Sequence, residues 1–144
     1  MSTVARQHEP ISRAGYERLR AELERLVALR RRQIADGVPA EDSEELEARI
    51  DHLTTTLSRV RIVDPPEDGV AGIGSRVRLR MSRGAATQEY ELVGPLESDA
   101  RERRISIDSP VGQALVGRRA GDVVTVEAPA GTRTVEIVDV RSEA

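Results

Sequence analysis

Residues 41–45 read Glu-Asp-Ser-Glu-Glu and hold two carboxylate pairs three residues apart, Asp42 with Glu45 and Glu41 with Glu44. Residues three apart at a helix start face the same side. A hard cation such as Mg²⁺ takes one or two protein carboxylates and keeps several of its waters, so either pair has the residue types to ligate one. The same residues also suit a capping box, in which Asp42 accepts from helix-terminal N–H groups and Glu45 reaches back, a device that stabilises a helix by about 1 kcal/mol. Residue type and spacing leave both roles open. Other chemistry is excluded more firmly. The chain has no Cys, hence no thiol nucleophile, disulfide or cysteine zinc site. His8 and His52 are not expected to pair as metal ligands, and no Gly-x-Ser-x-Gly turn announces a hydrolase.

The charge around these carboxylates is uneven. Residues 1–34 carry eight Arg against four Glu, whereas residues 36–51 carry seven carboxylates against Arg49 alone. A net charge of −3 gives no global attraction to nucleic acid. Every fixed cation is an arginine, a planar donor suited to carboxylate or phosphate. Arg30, Arg31 and Arg32 lie close to the acidic run, and Arg76, Arg78 and Arg80 occupy alternate positions further on. Both sets suit RNA phosphates or an acidic protein surface, and both also suit a solvated face.

The elements that must position these groups follow from periodicity. Residues 1–10 read as a flexible arm. Ser12 is an N-cap flanked by Ile11 and Tyr16 at staple spacing, and Tyr16, Leu19, Leu23, Leu26, Val27 and Ile34 form an apolar stripe on a helix running to about Asp36. Gly37 suits the left-handed position after a helix, and Pro39 prevents continuation. A second helix from Asp42 or Ser43 carries Leu46, Ile50, Leu53, Leu57 and Val60 as a heptad seam, ending before Pro65 and Pro66. Residues 11–64 are therefore expected to form an antiparallel coiled-coil hairpin with the acidic cluster at its tip, between Asp36 and Glu45. A linker is expected over 65–74.

From Gly69 the pattern changes to short alternating runs, so the fold class is α+β, with the hairpin and linker followed by a small β-rich domain over residues 75–144. Strands are expected around Arg76–Met81, Glu89–Leu92, Arg104–Ile107, Val123–Glu127 and Arg133–Val140. A short helix follows Ser109 as N-cap and Pro110 at its first position. Tyr16 and Tyr90 are the only aromatic residues, so the cores are aliphatic and a ring-lined pocket is excluded. No segment has the length and apolarity of a membrane span and no export signal is apparent, so a cytoplasmic protein is expected.

The run SIDSPVGQALVGRRAGD at 106–122, continued by VVTVEAPAG to 131, closely resembles the C-terminal signature of the bacterial Gre transcript cleavage factors. ISRAGYERLRAEL at 11–23 resembles that family's first helix, and RIVD at 61–64 its hairpin exit, so the resemblance covers nearly the whole chain. It implies an FKBP-like C-terminal domain that holds the rim of the RNA polymerase secondary channel through a loop matched here by Asp108, Ser109 and Pro110. It also implies a hairpin that enters the channel. There a tip Asp-x-x-Glu, matched by Asp42 and Glu45 with Glu41 and Glu44 as the alternative register, helps the polymerase hold its second Mg²⁺ so that a backtracked transcript is cut. On this resemblance the chain is an accessory factor rather than an enzyme, has no cofactor of its own, shares Mg²⁺ with RNA polymerase, approaches transcript RNA within the complex and is a monomer.

Two departures bear on the tip. The hairpin is shorter than the family's usual one by roughly a dozen residues, which at 1.5 Å per helical residue draws the tip back by about 10 Å. The family's Asn-Ala-Glu-Tyr after the tip is replaced by Leu46, Glu47, Ala48 and Arg49. Two functions therefore stand side by side: an elongation factor that stimulates cleavage, and a cleavage-inactive regulator that occupies the channel and modulates or inhibits transcription. A prolyl isomerase reading of the second domain fails for want of aromatic walls. A plain coiled-coil scaffold would instead self-associate through the Leu46–Val60 seam.

Overall fold

The computed structural model describes residues 8–67, 69–81 and 86–142. Helix α1 spans Arg13–Ala35 and helix α2 spans Glu44–Ser58. Ser12 caps α1 by accepting from the Gly15 N–H at 3.0 Å. At the other end Val38 N–H donates to Gln33 and Gly37 N–H to Ile34, with Gly37 at φ +75°, so the helix closes in a Schellman motif that requires the glycine. The helices run antiparallel, because their cross-pairs advance in opposite senses: Arg49 bonds Glu22 at 2.9 Å and Arg30 pairs with Glu47 at 3.3 Å. Ile50 and Leu53 are the buried members of the seam.

The base of the hairpin differs from its expected form. Glu9–Ile11 is strand β1, and Val60–Ile62 is strand β2, paired with it in parallel, Ile11 opposite Ile62. Glu9 and Pro10 thus leave the expected arm, of which residues 1–7 lie outside the described residues. Val60 leaves the helical seam, because α2 ends at Ser58 and its backbone pairs with β1 instead. The expected linker also changes character in its second half. Ala71, Gly72, Ile73 and Gly74 are buried, Ala71 N–H donates to Arg118, and Gly117 N–H donates to Ala71. Pro65 and Pro66 pack against Gly74 and Gly72, where an added Cβ would lie 3.1 Å and 2.9 Å from the rings.

A five-stranded mixed sheet follows in the order β5-β4-β3-β7-β6. Its strands are β3 Ser75–Arg80, β4 Gln88–Val93, β5 Arg104–Ser106, β6 Val123–Ala128 and β7 Gly131–Ser142, with only β4 and β5 parallel. Helix α3, Pro110–Leu115, packs against β6. Alternation sends Val77, Leu79, Leu92, Val124, Val126, Val135 and Ile137 to one face, where they form the core with Leu115 and Ala71. The chain is an α+β protein, and among its described residues no helix is long and apolar enough to cross a membrane.

The opposite face is a lattice of ion pairs. Glu89 on β4 lies 2.9 Å from Arg141, 3.3 Å from Arg76 and 3.7 Å from Arg78, and Arg80 pairs with Glu136 at 2.7 Å. The three arginines on β3 are therefore occupied within the sheet. Partial desolvation pushes the Glu89 carboxyl upward, but hydrogen bonds and charge from Arg76 and Arg141 outweigh it and hold the group below its ordinary value of 4.5. A depressed folded-state value means that the unfolded chain binds the proton first as pH falls. Stability supplied by Glu89 is thus present above 4.5 and disappears below it. Thermal melts of Glu89→Gln should show a shallower acid dependence in that range than wild type, and identical slopes would count against the lattice.

Candidate functional site

The tip is built by backbone geometry that spends none of its carboxylates. After Gly37, Pro39 opens a 3₁₀ turn over Ala40–Ser43, in which Asp42 N–H donates to the Pro39 carbonyl at 3.0 Å. Ser43 is the N-cap of α2, but its hydroxyl turns back to Pro39 and makes no cap bond. The capping box that Asp42 and Glu45 were expected to offer does not form, because the helix enters through the 3₁₀ turn. Glu41, Asp42, Glu44 and Glu45 are all exposed, and none makes a side-chain hydrogen bond or ion pair among the described residues. Both i,i+3 pairs are therefore presented to solvent.

Of the arginines near the tip, Arg30 is half-buried and held by Glu47 at 3.3 Å, whereas Arg31 and Arg32 are exposed without an ion pair among the described residues. His52 is exposed on α2. Among the described residues no group of three or more His, Cys, Asp or Glu is placed to hold a metal ion.

Asp108, Ser109 and Pro110 lie far along the chain, at the entrance to α3. Ser109 Oγ accepts from Gly112 N–H at 3.0 Å and donates to the Ser106 carbonyl at 2.7 Å, while Asp108 N–H donates to Ser106 Oγ. With Pro110 supplying a preset φ at the first helical position, the loop is held rigidly, and Asp108 and Pro110 stand exposed on it. Beside them runs an open groove of about 390 Å³ whose other residues, Gln113, Ala114, Thr125 and Glu127, were not among the expected site residues. The two groups of expected site residues are not brought together. One set sits at the hairpin tip and the other on the sheet domain.

What connects the two units is another residue that sequence reasoning missed. Glu97, in a 3₁₀ turn over Pro95–Glu97, has a side chain only 3% exposed. Its carboxylate accepts from Ser12 N–H and Gly94 N–H, each at 2.8 Å, and from the Ser12 hydroxyl, with Arg18 at 3.3 Å. One buried acid thus ties the α1 N-cap to the sheet domain.

Similarity to known proteins follows the same two units. The family described as "Transcription elongation factor, GreA/GreB, C-term" matches residues 65–142, which takes in α3, its loop and the whole sheet. The chain belongs to the GreA/GreB family of transcription elongation factors. Similarity extends through the hairpin as well. "Transcription elongation factor GreA" of Thermodesulfovibrio yellowstonii is 35% identical over 153 aligned positions, covering 93% of this chain and 97% of that one. The protein of the same name from Chloroflexus aggregans is 36% identical over 150, covering 91% and 96%. Both alignments are longer than the 144 residues of this chain, so these Gre factors carry residues that it lacks. Among solved structures, the GreA factor homolog 1 (Gfh1) protein of Thermus thermophilus is 29% identical, covering 94% of this chain and 99% of that one, with a TM-score of 0.45.

Proposed function

We propose that this Gre-family chain binds bacterial RNA polymerase at its secondary channel, with the Asp108–Pro110 loop holding the rim and the hairpin tip directed inward to stimulate transcript cleavage by the polymerase. The observation that carries this reading is the unspent tip: Asp42 and Glu45 are exposed, three residues apart, and used neither as caps nor in ion pairs among the described residues. Two carboxylates are too few to close a Mg²⁺ site alone and suit a shared one, in which other ligands and waters complete the shell. Bound at the polymerase centre, Mg²⁺ would acidify a coordinated water so that its deprotonated form could attack a phosphodiester. This chain's own part is to hold two hard oxygens on a stiff arm, with Arg31 and Arg32 available to transcript phosphates. It acts as an accessory factor in this reading, and the enzyme is the polymerase.

The test is RNA release from a stalled, backtracked polymerase complex. Asp42→Ala combined with Glu45→Ala should slow stimulated cleavage by about tenfold or more, a loss of roughly 1.4 kcal/mol in transition-state stabilisation. The variant should keep polymerase affinity and, because no cap is lost, unfold within about 0.5 kcal/mol of wild type. A specific observation favours a second reading: the chain is shorter than the relatives aligned to it. A tip stopping short of the metal would make the factor a channel-occupying regulator. Wild-type protein that binds and inhibits without cleaving would decide for that version, and absence of polymerase binding would sink both.

A further inference from the structure

We propose that the groove between α3 and β6 is a socket for one basic side chain, Arg or Lys, projecting from the polymerase surface on which the chain docks, with Glu127 as the second wall of the socket. The proposal rests on the docking reading above and adds its chemistry. The groove of about 390 Å³ is walled by Asp108 at the α3 entrance and by Glu127 and Thr125 on β6, with Pro110, Gln113 and Ala114 completing it.

Charge distribution singles out this groove. The sheet domain is rich in arginine, and its acids are generally matched: Glu89, Glu91, Asp99, Glu136 and Asp139 each stand within 4.0 Å of an arginine, and Asp122 accepts from Arg119 N–H. Among the described acids of 69–142, only Glu102, Asp108 and Glu127 have no side-chain partner. Two of these three wall the same groove. Two unpaired carboxylates repel a phosphate backbone and attract a cation, so RNA does not fit here. Pro110 and Ala114 supply apolar surface along which the methylene stem of a long cationic side chain can lie. A guanidinium held by two carboxylates gains charge-assisted, directional hydrogen bonds, which fix orientation as well as affinity.

Register explains why Glu127 was available for this role. On β6 Val124 and Val126 point into the core, so Thr125 and Glu127 face out beside α3. Glu127 is exposed, so its substitution leaves the core untouched.

Equilibrium binding of the full chain to its cognate RNA polymerase core enzyme, measured over a series of salt concentrations, tests the socket. Glu127→Gln preserves shape and removes charge. It should raise Kd by about tenfold and flatten the salt dependence. Glu102→Gln, unpaired but away from the groove, should bind as wild type, and Pro110→Ala reports on the docking loop itself. If Pro110→Ala weakens binding and Glu127→Gln does not, the socket is wrong and the docking reading stands. If neither variant matters, both fall. A Kd raised by Glu127→Gln at unchanged salt slope would also overturn the socket, because packing rather than charge would be responsible. Concentration-dependent dimers of the free chain that dissolve in Glu127→Gln would assign the groove to a second copy and overturn the polymerase partner.

Discussion

Glu97→Ala should lower the unfolding free energy by about 4 kcal/mol, because it strands two buried main-chain donors at once. The side chain is 3% exposed, and its loss leaves the N–H groups of Ser12 and Gly94 without their acceptor. Each orphaned buried donor costs about 1–3 kcal/mol. No neighbour fills the space cheaply, because Gly15 and Gly94 already sit against the carboxylate and the Pro10 carbonyl, an added Cβ falling 1.9 Å from Glu97 Oε1 and 2.0 Å from Pro10 O. Glu97→Gln keeps one acceptor and turns an NH₂ group toward a donor, so it should recover about half of the loss. Urea unfolding followed by circular dichroism would measure both. An alanine variant as stable as wild type would mean that the acid holds nothing together.

Gly112→Ala should destabilise the protein by about 3 kcal/mol, although alanine favours helix over glycine by about 1 kcal/mol. An added Cβ would lie 1.9 Å from the Ser106 carbonyl oxygen and 2.8 Å from Ile107 Cα, both main-chain atoms that no rotamer change can move. Relief requires α3 to lift away from β5, which breaks the Ser109 cap and displaces Asp108 and Pro110. On the proposed docking, polymerase binding should therefore fall together with stability. Measured at a temperature where the variant is fully folded, unchanged affinity would show that the loop does not need this packing to dock.

The sequence was informative where local rules act alone. Ser12, Gly37, Ser109 and Pro110 each announce a helix end through bonds made within a few residues, and all four perform the role that their type implies. Alternation likewise placed Arg76, Arg78 and Arg80 together on the outer face of β3. What escaped has partners distant in the chain. Strands β1 and β2 are three residues each and pair in parallel across the whole hairpin, so no turn marks them, and Val60 fits a heptad as readily as a strand. Glu97 reads as one more surface acid because two of its three close donors are main-chain N–H groups, which have no residue signature. The missing capping box failed for a related reason. Asp42 and Glu45 have the right spacing, but Pro39 starts a 3₁₀ turn and moves the cap to Ser43. Glu127 falls in a strand that the sequence led us to expect, but its face and its position across the groove from Asp108 required the packing of α3 on β6.

The clasp formed by β1 and β2 makes the hairpin a ruler of adjustable length. Its base is fastened by backbone pairing and by Glu97, and its tip is folded by Gly37 and Pro39, so both ends are specified independently of what lies between them. The intervening stretch is a repeating seam, in which one heptad removed from each helix restores the same facing residues and shortens the arm by about 10 Å. Deletions that are unpaired or out of step with the heptad would instead rotate the tip carboxylates away from their direction. On the proposed function, reach into the polymerase can thus be set by paired cuts, while the Asp108–Pro110 loop and the carboxylates at the end of the arm stay as they are.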